Sequence, residues 1–460
     1  MSEDAATPEG AEEGLRTLRT DLRPIVEAVR DADAAAFVAV GDRSDDDLRY
    51  LTRFSGPDRQ YALVVVPSGG AAGDNADPGA RAALCAPALF SEQAEREFVA
   101  SAHDPSADPT DGDGRDGAGS AFHDGVVREV RTENLGDAAG ERAAAVLDDL
   151  VAADGGDRTV LTPASIPHDA AVYLERAGNE LASTDAVAAA RARKAPAEVD
   201  RLRRVQRATV AGIARAETVL AESEVVDDID GATDGGRTGG DAGDGRRPPL
   251  RWEDEQLTTE RLRREVNAVL AAHGVRDAGN TVIGAGPSAA DLHYVGDDPI
   301  RPGETVLLDV SPRGPDGYYG DATRTFVVDG DGGWERRASV AVEAAREAAL
   351  AEVEPGVPAK TVHGEAAAEL AAYGFDPNAD EGEAGFTHGT GHGVGVSLHE
   401  GPSLTGAGEL RTGHVVTVEP GVYDPEIGGV RLEDLILVTD EGYELLAEYP
   451  LGIVPTADGD

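Results

Sequence analysis

Residues 305–326, TVLLDVSPRGPDGYYGDATRTF, contain two apolar segments, each with a carboxylate, joined by a turn rich in glycine and proline. The carboxylates are Asp309 and Asp321. Two such segments around a Gly/Pro turn predict a β-hairpin, with strands at 305–310 and 318–326. We expect the two aspartates to lie side by side on one face of this hairpin. Carboxylates in apolar strands repel each other unless a cation lies between them, so the pair indicates a divalent metal. Aspartates that merely terminate a turn are the alternative explanation.

The segment HGTGHGVGVSLHE at 388–400 contains three of the ten histidines in the chain, His388, His392 and His399. Its glycines allow the backbone to come close to a ligand. A single histidine is most often a hydrogen-bonded core residue. Three histidines within one glycine-rich segment favour a functional site instead.

Two further carboxylates follow apolar segments, Glu419 in VTVEPG (416–421) and Glu433 in GGVRLED (428–434). Unpaired carboxylates in such segments are costly. Four strand carboxylates and at least one imidazole suit two divalent ions that share bridging carboxylates, typically ~3.5–4 Å apart. The single cysteine, Cys85, excludes thiolate metal sites and an intrachain disulfide. Oxygen and nitrogen donors suit Mn, Co, Zn or Fe.

The chain of 460 residues is longer than one hydrophobic core supports, since cores stop growing near ~250–300 residues. Two domains are therefore predicted. Short apolar, β-rich runs alternate with helical patterns over residues 1–190, which predicts an α/β domain. The second domain, 191–460, is predicted to begin with a helix at 196–222. Residues 227–249 contain almost nothing to bury and predict a flexible acidic, glycine-rich insertion, with a linker between independent domains as the alternative.

The formal net charge is −46, from 87 acidic and 41 basic residues. The acidic residues are spread along the chain, which indicates a solvated surface suited to a high-salt cytoplasm, where such repulsion is screened. This charge argues against nucleic acid as a partner, because phosphate binding needs clustered Lys and Arg. No apolar run approaches the ~18 residues of a membrane span, and the first residues are acidic rather than basic and apolar. We therefore expect a cytoplasmic protein without a membrane partner.

Four segments together resemble the pita-bread metallopeptidases, the family of Xaa-Pro aminopeptidases, Xaa-Pro dipeptidases (prolidases) and methionine aminopeptidases. They are LLDVSPRGPDGYYGDATRTF, HGTGHGVGVSLHE, VEPGVY and GGVRLED, in the family's order. RARKAPAEVDRLRRVQ at 191–206 resembles the start of the family's catalytic domain. DLRYLTRFSGP at 47–57 resembles the creatinase-type N-terminal domain of the proline-directed members. The resemblance implies an α/β creatinase-like N-terminal domain at 1–190 and an α+β pita-bread catalytic domain at 191–460.

The resemblance also implies a ligand set for two divalent metal ions. Asp309 is expected to bind one ion through both oxygens. Asp321 and Glu433 are expected to bridge the ions, and His392 and Glu419 to complete the second. Glu419 is in addition the implied proton shuttle. Manganese or cobalt is the expected metal, with zinc or iron as alternatives.

Four further residues are implied to act on the substrate or to support the ligands. His399 is expected to hydrogen-bond the oxyanion or the substrate carbonyl. His293, in DLHY, matches the family's upstream histidine and is expected to contact the scissile amide or the leaving nitrogen. His388 is expected to line the pocket. Arg431 is expected to buttress Glu433 or another site carboxylate, and it is counted among the substrate-binding residues.

The implied function is a homodimeric exopeptidase that hydrolyses small peptides, at Xaa-Pro bonds, through a metal-bridging hydroxide. Dipeptidase and aminopeptidase remain open alternatives, because the distinction depends on what blocks the far end of the cleft. A methionine aminopeptidase is disfavoured by the long N-terminal half. A metal-free creatinase-like amidinohydrolase and an inactive peptidase-fold binding protein are disfavoured because all five ligands are present.

Overall fold

The structure, a computed structural model, describes residues 17–68, 79–100, 124–132, 138–151, 158–226, 247–380 and 382–457. The chain divides into two units, Met1–Arg191 and Ala192–Asp460. Most of the predicted insertion, residues 227–246, lies outside the described residues. None of the helices that the structure describes is both long enough and apolar enough to span a membrane.

The described residues of the first unit form a mixed six-stranded sheet. Its strands are β1 (Ala36–Gly41), β2 (Tyr61–Pro67), β3 (Ala80–Cys85), β4 (Val126–Arg131), β5 (Thr159–Thr162) and β6 (Glu180–Ser183), in the order β4-β3-β2-β1-β5-β6. The β1–β2 and β2–β3 pairs are antiparallel, and the other three pairs are parallel. The central strands β1 and β2 are buried along almost their whole length, as continuous apolar strands covered on both faces are.

The described part of this half of the chain contains six α-helices. They are α1 (Arg23–Asp31), α2 (Asp46–Thr52), α3 (Ser91–Ala94), α4 (Ala139–Leu150), α5 (His168–Arg176) and α6 (Ala186–Ala192). A 3-10 turn at Ala88–Phe90 precedes α3, and a π-helical turn at Glu95–Val99 follows it. Alternating apolar strands and helices were predicted for this half of the chain, and the described residues confirm that pattern.

Among its described residues the second unit has the α-helices α7 (Pro196–Ala221), α8 (Thr259–Ala272), α9 (Trp334–Ala351) and α10 (Ala359–Ala372), and a 3-10 helix at Gly286–Ala290. Its strands are β7 (Arg251–Trp252), β8 (Glu255–Gln256), β9 (Thr281–Ala285), β10 (Thr305–Val310), β11 (Ala322–Val327), β12 (Val415–Val418), β13 (Gly421–Asp424), β14 (Gly428–Arg431), β15 (Asp434–Thr439) and β16 (Gly442–Leu445). They form the sheets β11-β10-β9 and β12-β15-β16 and the pairs β13-β14 and β7-β8. Every one of these pairings is antiparallel.

Each pair of helices in this unit shares a hydrophobic core with its own strands. α7 and α8 pack with β9, β10 and β11, whereas α9 and α10 pack with β12 to β15. A bridge between Thr323 and Glu433 joins the two halves, with the Glu433 N–H donating to the Thr323 carbonyl at 3.1 Å. The predicted ligands from both halves therefore meet along this junction, which we call the seam between the two halves.

The predicted helix at 196–222 is confirmed by α7, and the predicted hairpin by β10 and β11. The second strand was predicted too long, because it begins at Ala322 rather than at Tyr318. The backbone before Ala322 makes other contacts: the Tyr319 N–H donates to the Gly395 carbonyl at 2.9 Å and the Gly320 N–H to the Pro312 carbonyl at 3.0 Å. Residues 318–321 consequently belong to the turn.

Candidate metal centre

The five predicted metal ligands come from the ends of strands and from one loop. Asp309 is the fifth residue of β10, and Asp321 directly precedes β11. Glu419 follows β12, and Glu433 lies between β14 and β15. His392 lies in the loop between α10 and β12. Since the side chains at these strand ends face the same seam, residues far apart in sequence converge there.

Three of these residues could hold one ion together. Asp321, His392 and Glu433 each offer a ligand atom, and these atoms lie within 4.8 Å of one another. His392 Nε2 is 3.8 Å from Asp321 Oδ2 and 3.4 Å from Glu419 Oε1. The imidazole nitrogen therefore points between two carboxylates, as it does in sites that bind divalent cations.

The two aspartates of the hairpin meet through Ser311. Its hydroxyl lies 3.1 Å from Asp309 Oδ1 and 2.9 Å from Asp321 Oδ1. On its other side, Asp309 Oδ2 accepts a hydrogen bond of 2.6 Å from Arg431 Nη2. Arg431 thus contacts Asp309 directly, the "other site carboxylate" of the sequence prediction, and reaches Glu433 through the Thr323 hydroxyl.

Four carboxyl groups lie close together in the site, and the other groups of the protein compensate their negative charges only in part. Burial, followed by repulsion from Glu433, Asp309 and Glu419, raises the pKa of Asp321 well above its ordinary value. Burial, followed by repulsion from Glu419 and Asp309, raises the pKa of Glu433 to about 8. Burial raises the pKa of Glu419 to about 7, although Arg431 acts in the opposite direction. Divalent cations would remove this repulsion, so the donor set fits them.

The hydrogen bonds of His392 leave one ring nitrogen available to a metal. Nδ1 lies 3.1 Å from the Gly393 carbonyl, which can only accept, so Nδ1 carries the proton and Nε2 presents its lone pair to the carboxylates. Thr417 links this histidine to Glu419. Its hydroxyl accepts from the His392 N–H at 3.0 Å and donates to Glu419 Oε1 at 3.1 Å.

Two glycines of the 388–400 segment are required by close packing, Gly391 against β12 and Gly393 against Gly401. A Cβ at Gly391 would lie 2.1 Å from the Thr417 carbonyl oxygen, and one at Gly393 would lie 2.2 Å from the Gly401 carbonyl oxygen. Any side chain at these positions would push the loop away. Because Gly391 and Gly393 have no side chains, His392 can reach Glu419.

All nine residues predicted for the site line one cavity of about 500 Å³. Among them, His388 is held on both ring nitrogens, with Nδ1 2.8 Å from the Gly389 carbonyl and Nε2 2.7 Å from the Tyr423 hydroxyl. Burial lowers the pKa of His388 to about 3, so this ring is neutral. Its role as a pocket residue stays a prediction.

His399 and His293 line the same cavity without being fixed in this way. The ring of His399 lies 4.3 Å from that of His392, centroid to centroid. Burial and the neighbouring His392 lower the pKa of His399. His293 is exposed. Both rings are placed to meet a ligand in the cavity.

The sequence prediction did not include the hydroxyl residues that orient the ligands. Ser311 and Thr417 each lie two residues from a ligand carboxylate in extended chain, so strand alternation could have revealed them. Thr323 lies two residues from Asp321 but donates across the seam to Glu433 Oε2 at 2.6 Å. No residue pattern near Thr323 in the sequence indicates that it contacts Glu433.

Comparison with known proteins gives the family of this chain. Residues 200–440 match metallopeptidase family M24. The chain is 36% identical over 202 residues to the Xaa-Pro dipeptidase of Pyrococcus horikoshii, which is 42% of this chain and 55% of that protein. It is 30% identical over 181 residues to the probable dipeptidase PepE of Mycobacterium tuberculosis, which is 39% of this chain and 46% of that protein. The chain thus spans about half the length of the curated relatives it matches.

Solved structures resemble the chain over most of its length. A prolidase from Pyrococcus horikoshii superposes with a TM-score of 0.68 and 20% identity, over 94% of this chain and 99% of that chain. An Xaa-Pro dipeptidase from Bacillus anthracis gives 0.69 and 20%, over 94% and 98%. At this identity the likeness concerns the fold, and it confirms the predicted fold class, an α/β N-terminal domain followed by an α+β pita-bread domain. Because the family match covers more than half of the chain and contains every predicted ligand, the chain belongs to metallopeptidase family M24.

Proposed function

We propose that this protein is a dinuclear-metal exopeptidase that hydrolyses Xaa-Pro peptide bonds. The observation that carries the proposal is the convergence of four carboxylates and His392 in one cavity, where the carboxyl groups of Asp321 and Glu433 are buried and repel each other. Membership of a metallopeptidase family implies divalent metal ions. The proline preference is supported by relatives named Xaa-Pro dipeptidase.

In this proposal the metal ligands are those implied by the sequence. Asp309 would hold one ion, His392 and Glu419 would hold the other, and Asp321 and Glu433 would serve both. The oxygen and nitrogen donors favour manganese or cobalt, with zinc or iron as alternatives. When bound, two such ions supply a water of lowered pKa and polarise the carbonyl of the scissile bond.

Glu419 is the proposed proton carrier. Thr417 donates to its Oε1, which fixes the orientation of the carboxyl group. A carboxyl group beside the bound water can take up its proton and pass it to the leaving amine. His399 is proposed to donate an N–H to the carbonyl oxygen as it becomes negatively charged, and His293 to contact the amide.

A chain of hydrogen bonds holds the rear of the site. His388 Nδ1 donates to a carbonyl, so its Nε2 accepts from the Tyr423 hydroxyl at 2.7 Å. The same hydroxyl accepts from Arg431 Nη1 at 3.0 Å, and Arg431 Nη2 donates to Asp309. In this series of hydrogen bonds each donor faces an acceptor. The series therefore fixes the position of Asp309, and none of its groups has to change its protonation to do so.

The proposal is tested by hydrolysis of Ala-Pro and of a longer Ala-Pro-Xaa peptide, with protein purified in high salt and supplied with Mn²⁺ or Co²⁺. Release of the N-terminal residue is expected, and both EDTA and Asp321→Ala should abolish it. Cleavage of the dipeptide alone would identify a dipeptidase, and cleavage of the longer peptide an aminopeptidase. Activity that survives both EDTA and the substitution would overturn the proposed mechanism.

We further propose a homodimer that works in a high-salt cytoplasm. The net charge of −46 supports the salt requirement, since molar salt shortens the Debye length to about 3 Å and screens the repulsion. The resemblance to proline-directed members of the family supports the dimer. Light scattering coupled to gel filtration, run across a series of KCl concentrations, measures the mass. A monomer at molar salt would overturn the dimer, and full stability in dilute buffer would overturn the salt requirement.

A further inference from the structure

The side chain of Gln206 binds the backbone of the predicted ligand Asp321 on both sides. The Asp321 N–H donates to Gln206 Oε1 at 2.8 Å, and Gln206 Nε2 donates to the Asp321 carbonyl at 2.8 Å. Gln206 lies on α7 and is 1% exposed. Its amide therefore makes the same pair of hydrogen bonds that a neighbouring strand would make.

Asp321 needs such a partner because it lies beyond the regular sheet. The paired register of β10 and β11 ends with Val310 opposite Ala322. Asp321 belongs to the turn that precedes Ala322, where no ladder of backbone hydrogen bonds fixes the direction of its side chain. The two bonds to Gln206 supply that restraint.

The contact between α7 and this turn leaves no room for adjustment. A Cβ added to Gly320 would lie 2.4 Å from Thr209 Oγ1 and 3.1 Å from Gln206 Oε1. The start of the same helix is attached to the turn as well, because the Tyr318 hydroxyl donates to Glu198 Oε1 at 2.6 Å. α7 therefore holds the turn at two points, one on each side of Gly320.

We propose that Gln206 is a positioning residue of the metal centre, which sets the direction of the Asp321 carboxylate by holding its peptide groups. This inference rests on the proposed metal site. Groups that orient a ligand without touching the metal typically change metal affinity by about 10–100-fold when they are removed. Loss of the amide would also leave a buried N–H and a buried carbonyl without their partner.

The test compares Co²⁺ binding by the full-length metal-free protein with binding by Gln206→Met, in high salt, by calorimetry and by visible absorption. The variant should raise the Kd for Co²⁺ by about 10-fold or more, and the Co²⁺ absorption spectrum should change because a ligand has turned. Ile213→Ala is the matched control. Ile213 is buried in the core two turns further along α7, so its loss should lower stability and leave the Kd and the spectrum unchanged.

A second variant, Gln206→Asn, keeps the amide but is too short to reach both peptide groups, and it should show the same two changes if Gln206→Met does not fold. Wild-type affinity and spectrum in the folded variants would overturn the inference. An equal loss in Ile213→Ala would also overturn it, since the effect would then follow from general stability. Failure of the unmodified protein to bind Co²⁺ would overturn the proposed metal site itself, and the inference with it.

Discussion

Arg431 Nη2 donates to Asp309 Oδ2 across 2.6 Å, and the same guanidinium donates from Nε to Thr323 Oγ1 at 2.9 Å and from Nη1 to the Tyr423 hydroxyl at 3.0 Å. One fully buried cation thus fixes a predicted metal ligand, the hydroxyl that orients Glu433 and the phenol that orients His388. Three separate strands are held by a single planar group, which a lysine cannot imitate.

Arg431→Met should therefore impair both the fold and the site. Breaking a buried ion pair by removing one partner costs about 3–5 kcal/mol of unfolding free energy, and loss of a ligand-orienting group lowers kcat/KM by about 10–100-fold. Urea denaturation and steady-state hydrolysis of Ala-Pro measure the two effects. Arg431→Lys should lie between the variant and the wild type, because its charge stays but its three contacts do not.

The control is Arg203→Met, which removes an exposed ion pair of 2.7 Å with Glu444. Such pairs contribute about 0–1 kcal/mol, so stability and activity should change little. If Arg431→Met bound metal and turned over substrate like the wild type, the hydrogen bond from Arg431 to Asp309 would contribute nothing to metal binding or to turnover.

The metal-free protein should lose stability as the pH rises from about 6.5, above the range in which the histidines of the unfolded chain titrate, to about 8. Glu433 and Glu419 have ordinary pKa values of 4.5, which burial raises to about 8 and about 7. Between about pH 6.5 and pH 8 these two groups bind more protons in the folded protein than in the unfolded chain, so the free energy of unfolding falls with increasing pH. Below that window His388 and His414, whose pKa values are lowered by burial, act in the opposite direction. Added Mn²⁺ or Co²⁺ binds the ionised carboxylates, and its stabilising effect should therefore be larger at pH 8 than at pH 5.

Glu433→Gln isolates this effect from the titration of the other acidic groups. Melting temperatures of the metal-free wild type and of this variant are compared across the same pH series. The variant should show the shallower decline between pH 6.5 and pH 8, because one buried carboxyl group has been removed. Parallel curves would mean that Glu433 ionises in the folded protein as easily as in the unfolded chain.

The predicted ligands could be identified from the sequence because each lies in a short, strongly patterned segment. Asp309, Glu419 and Glu433 end apolar strands, and the glycines around His392 mark a close approach. Local patterns of this kind persist in the fold, because strand alternation and glycine packing depend on near neighbours. The structure brings these residues into one cavity.

Other features depend on contacts between distant segments and could not be predicted in the same way. Tyr319 completes a strand pattern locally, yet its N–H donates to Gly395, 76 positions further along the chain. Gln206 has a partial signal, since it lies on the apolar stripe of α7 with Leu202 and Ile213, where a polar residue needs a buried partner. Nothing near it in the sequence names Asp321 as that partner.

The ion pair between Lys194 and Glu400 should be worth more to stability than most pairs in this acidic chain. Lys194 Nζ lies 2.6 Å from Glu400 Oε1, and their side chains are only 1% and 8% exposed. Lys194→Met should lower the free energy of unfolding by up to about 3–5 kcal/mol, because it removes one partner of a buried ion pair. Glu400 directly follows His399 and is bound to Gly393 through two backbone hydrogen bonds of 2.9 Å, so KM should rise as well.

The double variant Lys194→Met/Glu400→Gln tests the cause. Removing both charges should recover part of the lost stability, since the buried carboxylate that lost this cation is removed as well. Urea denaturation of the wild type, both single variants and the double variant completes the cycle. Additive losses would mean that the two charges do not interact, contrary to their distance.

Gly320→Ala should disturb the site, although it adds a single methyl group. The new Cβ would overlap Thr209 Oγ1 at 2.4 Å, so either α7 or the turn carrying Asp321 must move. Overpacking of this kind costs about 1–3 kcal/mol, and displacement of Asp321 should weaken Co²⁺ binding measurably. Calorimetric titration with Co²⁺ and thermal unfolding provide the two readouts.

Gly364→Ala is the matched control, because it makes the same change at a position with open space. Gly364 lies within α10, and a Cβ there meets nothing within 4 Å. Alanine is the better helix former, so this variant should gain about 0.5–1 kcal/mol and bind Co²⁺ as the wild type does. Adding Thr209→Ala to Gly320→Ala removes the nearest overlapping atom and should restore part of the metal affinity. If Gly320→Ala bound Co²⁺ normally without that second change, the turn would have to be softer than its contacts with α7 indicate.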